Sequence, residues 1–145
     1  MALQAGQSFP DLALPDHTGR PRRLSEAAGG DPLVLVTSRG WWCPKEQRFL
    51  RGLVGLQDEF EVAYTRIVVM SVDTPPVQAA FRAGLGARFL FLSDHERRYF
   101  DELGLRDVAG GPLVCLANID HDQRLARLHP LADLAHREHR HPFNR

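Results

Sequence analysis

Lysine is nearly missing from this chain: Lys45 is the only one, and every other basic side chain outside the histidines is arginine. Charge nevertheless balances, with 18 Lys+Arg against 18 Asp+Glu among 145 residues. No net positive field exists to hold nucleic acid or an anionic membrane surface, so neither partner is expected. Cysteine is scarce too, limited to Cys43 and Cys115, which is too few for a disulfide framework. The opening "MALQAGQSFPDLALPDHTG" has no charged start followed by an apolar stretch, so neither secretion nor a membrane span is expected. A reducing cytoplasm is the expected setting. There is also no internal repeat, interdomain linker or extended low-complexity stretch. The length suits one domain with its own core, residues 1–145, ending in a polar tail from about 140.

Four short apolar runs are present: "LVLVT" at 33–37, "RIVVMSV" at 66–72, "FLFLS" at 89–93 and "LVCLANI" at 113–119. They do not alternate with polar residues, as expected for strands covered on both faces. Between the first two, "CPKEQRFLRGLVGLQDEF" places Phe49, Leu50, Leu53, Leu56 and Phe60 near helical spacing. This predicts one amphipathic helix, weakened by roughly 1 kcal/mol at each of Gly52 and Gly55 if exposed. Pro75 and Pro76 suit the start of a second helix that "GLG" closes. Ser93 and Glu96 have capping-box spacing for a third at about 94–103, with Gly104 after its end. Alternating strands and helices predict an α/β fold with a largely parallel sheet. Beyond it, "DHDQ" reads as a turn and "RLARL" as an antiparallel edge strand, and two or three helical turns are expected from Pro130.

Cys43 falls just past the carboxyl end of the first strand and at the start of the following helix, inside "SRGWWCPKEQ". Open α/β sheets place ligands here, and the unpaired amides of a helix start favour a thiolate. The size of such an effect matters. A thiol with a pKa of about 8.5 is only roughly 3 % ionised at pH 7, and moving it to about 6 takes roughly 3 kcal/mol. One exposed helix end supplies about a third of that, so a cation is wanted, and Arg39 is the obvious candidate. The alternative is a small buried hydrophobe under two tryptophans. Trp41 and Trp42 either wall the thiolate, with at least one beside it, or plug the core.

Taken together, these segments resemble the AhpC/TSA group of peroxiredoxin-like proteins. "GQSFPDLALPDHTGRPRRLSE" is similar to the family's opening hairpin with its D-x-x-G turn, and "PLVLVTSRGWWCPKEQRFLRGL" to its strand, active-site turn and helix. "RIVVMSVDTPP" resembles the second core strand with its loop, and "FLFLSDHERRYFDELGL" an apolar strand, serine-aspartate turn and helix. The likeness spans about residues 6–128. It implies a thioredoxin-like α/β fold, a central mixed sheet flanked by helices with an N-terminal hairpin extension. It also implies Cys43 as a single peroxidatic nucleophile partnered by Arg39, in an environment of Gly40, Trp42, Glu46 and Pro112. Glu46 stands where C-P-x-E is common. The implied substrate is a hydroperoxide, the reductant an external thiol such as a thioredoxin-type protein or a small thiol, and no cofactor or metal takes part.

The departures from the pattern are specific. Where the family carries P-x-x-x-T-x-x-C, Val36 and Gly40 occupy the proline and threonine positions, so the hydroxyl that orients peroxide is gone. Arg39, Ser38 and backbone amides are the candidate substitutes, and R-G-x-x-C-P marks a divergent branch. Glu46 and Arg48 replace the second cysteine of C-x-x-C and a nearby resolving thiol. Cys115 reads as a core side chain. Arg106 is the available downstream arginine, and Pro112 stands where a cis-proline faces the cysteine in this fold. A remodelled carboxyl end favours a homodimer. His136, His139 and His141 lack a completing ligand set and read as a solvated tail. The alternative function is a redox sensor or binding protein with weakened turnover.

Overall fold

The computed structural model describes residues 3–105, 115–120 and 122–130. An N-terminal hairpin pairs β1 (Ala13–Pro15) with β2 (Pro21–Arg23). Its D-x-x-G turn closes with the Gly19 amide donating to the Asp16 carbonyl at 2.9 Å. A single helical turn, α1 (Leu24–Ala28), leads to β3 (Leu33–Ser38). Then come α2 (Pro44–Gly55), α3 (Gln57–Val62), β4 (Arg66–Ser71), α4 (Pro75–Leu85), β5 (Leu90–Ser93) and α5 (Arg98–Glu102). The order ends with β6 (Cys115–Ile119) and β7 (Leu125–Pro130).

The main sheet has the order β5-β4-β3-β6-β7. β3, β4 and β5 are parallel, while β6 runs antiparallel to β3 and β7 to β6. It is the expected mixed sheet flanked by helices. The apolar runs fail to alternate because both faces are covered. Leu33, Leu35, Val68, Met70 and Leu92 join the hairpin, α1 and α5 in one buried cluster. Val36, Ile67, Val69 and Phe91 meet Leu50 and Leu53 of α2 in the other, against which Phe81 and Leu85 of α4 also pack. Each fully buried side chain of this size contributes about 1.5–3 kcal/mol.

Two expectations are corrected. The helix expected across residues 44–60 breaks at Leu56, because buried Gln57 is tied to the turn after α4. Its Nε2 donates to the Gly86 carbonyl at 3.2 Å and its Oε1 accepts from the Arg88 amide at 3.0 Å. The third helix starts at Arg98, not 94. Ser93 instead ends β5 and donates to the Asp73 carbonyl at 2.5 Å, while Asp94 accepts from the Phe100 amide at 2.9 Å. Pro130 closes edge strand β7, a position where its missing N–H is tolerated, and the helical turns expected to follow it lie outside the described residues. Arg106, Pro112, His121 and the segment from 131, with His136, His139, His141 and the tail on which the homodimer expectation rests, lie outside the described residues.

Candidate active site

The parallel strands end in a row of serines: Ser38, Ser71 and Ser93 are register partners across β3, β4 and β5, and all are buried. Beyond that row the chain turns through residues 39–43 into α2. Pro44 takes the first helical position, where its missing N–H costs nothing. Cys43 becomes the N-cap, with extended φ −84° and ψ 115°, and its side chain makes no capping hydrogen bond. The cysteine is 9 % exposed and sits at the positive end of a 12-residue helix.

Three side chains hold this turn. Glu46, 2 % exposed, accepts through Oε2 from the Ser38 hydroxyl at 2.6 Å and from the Gly40 amide at 3.0 Å. Asp73, in the loop after β4, accepts the Trp41 amide at 2.9 Å. The Trp41 carbonyl takes a hydrogen bond from Gln47 Nε2. Thus Ser38 and the amides of Gly40 and Trp41, candidate substitutes for the lost hydroxyl, are already engaged by the protein. The Cys43 amide faces the Gly40 carbonyl at 3.3 Å.

Burial pushes the Glu46 carboxyl above its usual range, opposed by the Ser38 hydrogen bond, the Arg39 and Gly40 amides and the Arg39 charge. Its Oε1 has no hydrogen-bond partner among the described residues. Arg39 therefore acts electrostatically on Glu46. Burial likewise raises Asp73, opposed by its hydrogen bonds with Trp41 and Ser71.

Cys43, Arg39, Gly40, Trp42 and Glu46 thus occupy one turn, as their spacing suggests. The tryptophans do not plug the core: Trp41 and Trp42 are 50 % and 57 % exposed. The Trp42 ring edge instead lies over Gly40, where a β-carbon would come within 2.9 Å of Nε1. Asp73 and Gln47 were not singled out from sequence. Gln47 had a weak signal, one helical turn after Cys43; Asp73 is 30 residues away and had only its place after a buried strand. Cys115 opposes Thr37 in the β3–β6 register. No group of three potential metal ligands occurs among the described residues. Nor does any helix there have the length and apolarity to cross a membrane.

The profile of the AhpC/TSA family matches residues 5–127. The crystal structure of peroxidoxin BcpB from Mycobacterium tuberculosis superposes with a TM-score of 0.82 at 26 % identity, covering 88 % of this chain and 86 % of that one. Reduced Prx3 from Vibrio vulnificus in complex with hydrogen peroxide gives 0.78 at 23 %, covering 88 % and 87 %. The bacterioferritin comigratory protein of Xanthomonas campestris gives 0.77 at 19 %, covering 94 % and 98 %. These likenesses establish the thioredoxin-type fold. Comparison with curated proteins finds no match.

Proposed function

Since the chain belongs to the AhpC/TSA family, we propose that it is a thiol peroxidase-type redoxin that reduces hydroperoxides through Cys43 and is recycled by an external thiol. The observation that carries this reading is Cys43 at the N-cap of α2, nearly buried, in a turn held by Glu46, Asp73 and Gln47. The thiolate attacks the distal peroxide oxygen. A sulfur–oxygen bond forms as the oxygen–oxygen bond breaks, the sulfur is oxidised to sulfenic acid, and the leaving oxygen takes a proton as water or alcohol. One external thiol displaces water to give a mixed disulfide and a second releases the free cysteine. The cycle needs no metal or cofactor, and the absence of a C-x-x-C partner supports an external reductant in a reducing cytoplasm.

Peroxide mixed with reduced protein is expected to alter tryptophan fluorescence and leave Cys43 reactive toward dimedone. No dimedone adduct at Cys43, or an undiminished rate in Cys43→Ser, would overturn the reading. The engaged donors around Gly40 favour a second reading, a redox sensor with slow turnover. Sustained peroxide consumption driven by a thioredoxin-type system argues against it.

A further inference from the structure

Gln78, in the first turn of α4, is completely buried. Its side-chain nitrogen Nε2 donates twice, to the Leu92 carbonyl of β5 at 2.7 Å and to the Ser71 hydroxyl oxygen of β4 at 2.8 Å. The Leu92 carbonyl can only accept, so the atom facing it is the nitrogen of the amide. The other end, Oε1, has no partner among the described residues. A buried acceptor in that state is unfavourable, and methionine would fill the same length of core without one. What the amide adds is its pair of donors.

Those donors fix the direction of the Ser71 hydroxyl. With one N–H on Leu92, the second is aimed at Ser71 Oγ, which must accept it. The same oxygen faces the Asp73 amide at 3.4 Å. Both of its lone pairs are then occupied, and its single proton is left to donate. That proton serves the Asp73 carboxylate, where the Ser71 hydrogen bond opposes the burial of the charge. Asp73 Oδ2 in turn accepts the Trp41 amide at 2.9 Å, and Gln47 holds the carbonyl of the same residue, two positions before Cys43. Ser93 secures the main-chain carbonyl of Asp73. A continuous chain of hydrogen bonds therefore runs from α4 through the row of serines to the turn that presents the cysteine.

We propose that Gln78 is a positioning residue of the Cys43 site: by donating to Ser71 Oγ it turns the hydroxyl proton onto Asp73, which then holds the Trp41 amide and the turn around Cys43. Gln78 acts through Ser71 and Asp73 and touches no reacting atom. Without the amide, the Ser71 hydroxyl is free to rotate, and the bond it makes to a carboxylate, stronger than one between neutral groups, is no longer enforced. The effect on oxidation rests on the role proposed for Cys43; the hold on Trp41 does not.

Two readouts test the proposal: hydrogen exchange of the Trp41 amide, taken relative to a core amide such as that of Leu35 in the central strand, and the rate at which peroxide oxidises Cys43. Gln78→Met should quicken the exchange about two- to five-fold and slow the oxidation by a similar factor, the size of part of one hydrogen bond. Loss of the Leu92 bond lowers stability whatever the role of Gln78, so coupling between variants is the deciding measurement. In an Asp73→Ala background, Gln78→Met should change neither readout further. Ser71→Ala should reproduce the Gln78→Met values while leaving the Leu92 bond in place, and it carries the test alone if Gln78→Met does not fold. Undiminished effects of Gln78→Met in the Asp73→Ala background, or unaltered Trp41 exchange in Ser71→Ala, overturn the proposal and leave Gln78 as a brace between α4 and β5. Coupled Trp41 exchange in a protein whose Cys43 is never oxidised would sink the peroxidase reading and leave the positioning; oxidation of Cys43 without the coupling would do the reverse.

Discussion

Glycine at position 40 is a steric requirement of the turn. Its φ of +136° lies where residues with a β-carbon are rarely found. A β-carbon would also press to 2.9 Å from Trp42 Nε1 and 3.0 Å from Asp73 Oδ1. The family's threonine hydroxyl is therefore not restored by substitution: Gly40→Thr is expected to destabilise the fold by about 1–3 kcal/mol and to slow the reaction of Cys43 with peroxide. Urea midpoints and stopped-flow tryptophan emission measure the two effects. A variant as stable as its parent and faster with peroxide would show that the turn accepts the hydroxyl after all. That position 40 departs from the family pattern is plain in the sequence. Why it departs is not, since the answer needs a backbone angle and a carboxylate 33 residues away.

Between elements, Asp73 joins the loop after β4 to the start of α2. Its carboxylate holds the Trp41 amide, and its carbonyl accepts the Ser93 hydroxyl from the end of β5. The core contacts of Leu50 and Leu53 hold α2 itself independently of this tie. Asp73→Ala should accordingly leave the helix in place and loosen only the turn. We expect exchange of the Trp41 amide to quicken roughly five- to ten-fold, the equivalent of about 1 kcal/mol, and Cys43 oxidation to slow. Asp73→Asn, which keeps an acceptor, should restore both. Equal protection in the alanine variant would show that the clamp is incidental. Elements were legible where periodicity was strong: the four core strands, the starts of α2 and α4 at prolines, and the D-x-x-G hairpin. Boundaries failed where a polar side chain reaches across the fold. Gln57 breaks the long helix by bonding Gly86 and Arg88, and Ser93, spaced as a cap, bonds Asp73 instead. Such partners are distant in sequence, and local spacing does not encode them.

Across the whole molecule, buried carboxylates make stability depend on pH in opposing directions. For Asp16, burial works against the charge, yet hydrogen bonds from Thr18, Arg22 and Arg20 bring its pKa to about 2 from 3.8. It contributes stability that is present above pH 3.8 and lost as pH falls toward 2. Glu46, Asp73 and Asp94 are raised instead, mainly by burial. In the folded protein they hold protons that the unfolded chain releases, so their contribution is complete below the unfolded values, 4.5 for Glu46 and 3.8 for the aspartates. It declines as pH rises through the raised folded values. Burial and the Arg82 charge lower His17, which opposes this by losing stability as pH falls below 6.5. Because these trends overlap, one substitution separates them better than the parent protein's profile. Glu46→Gln removes the ionisation and keeps an oxygen for Ser38 and Gly40. Relative to the parent, this variant should gain stability between pH 4 and pH 7, with the change beginning near the ordinary 4.5 of a free glutamate. Paired urea titrations at the two pH values measure the gap; an equal gap at both would mean that Glu46 titrates in the fold as it does in the unfolded chain, the Arg39 charge and the amides of the turn cancelling its burial.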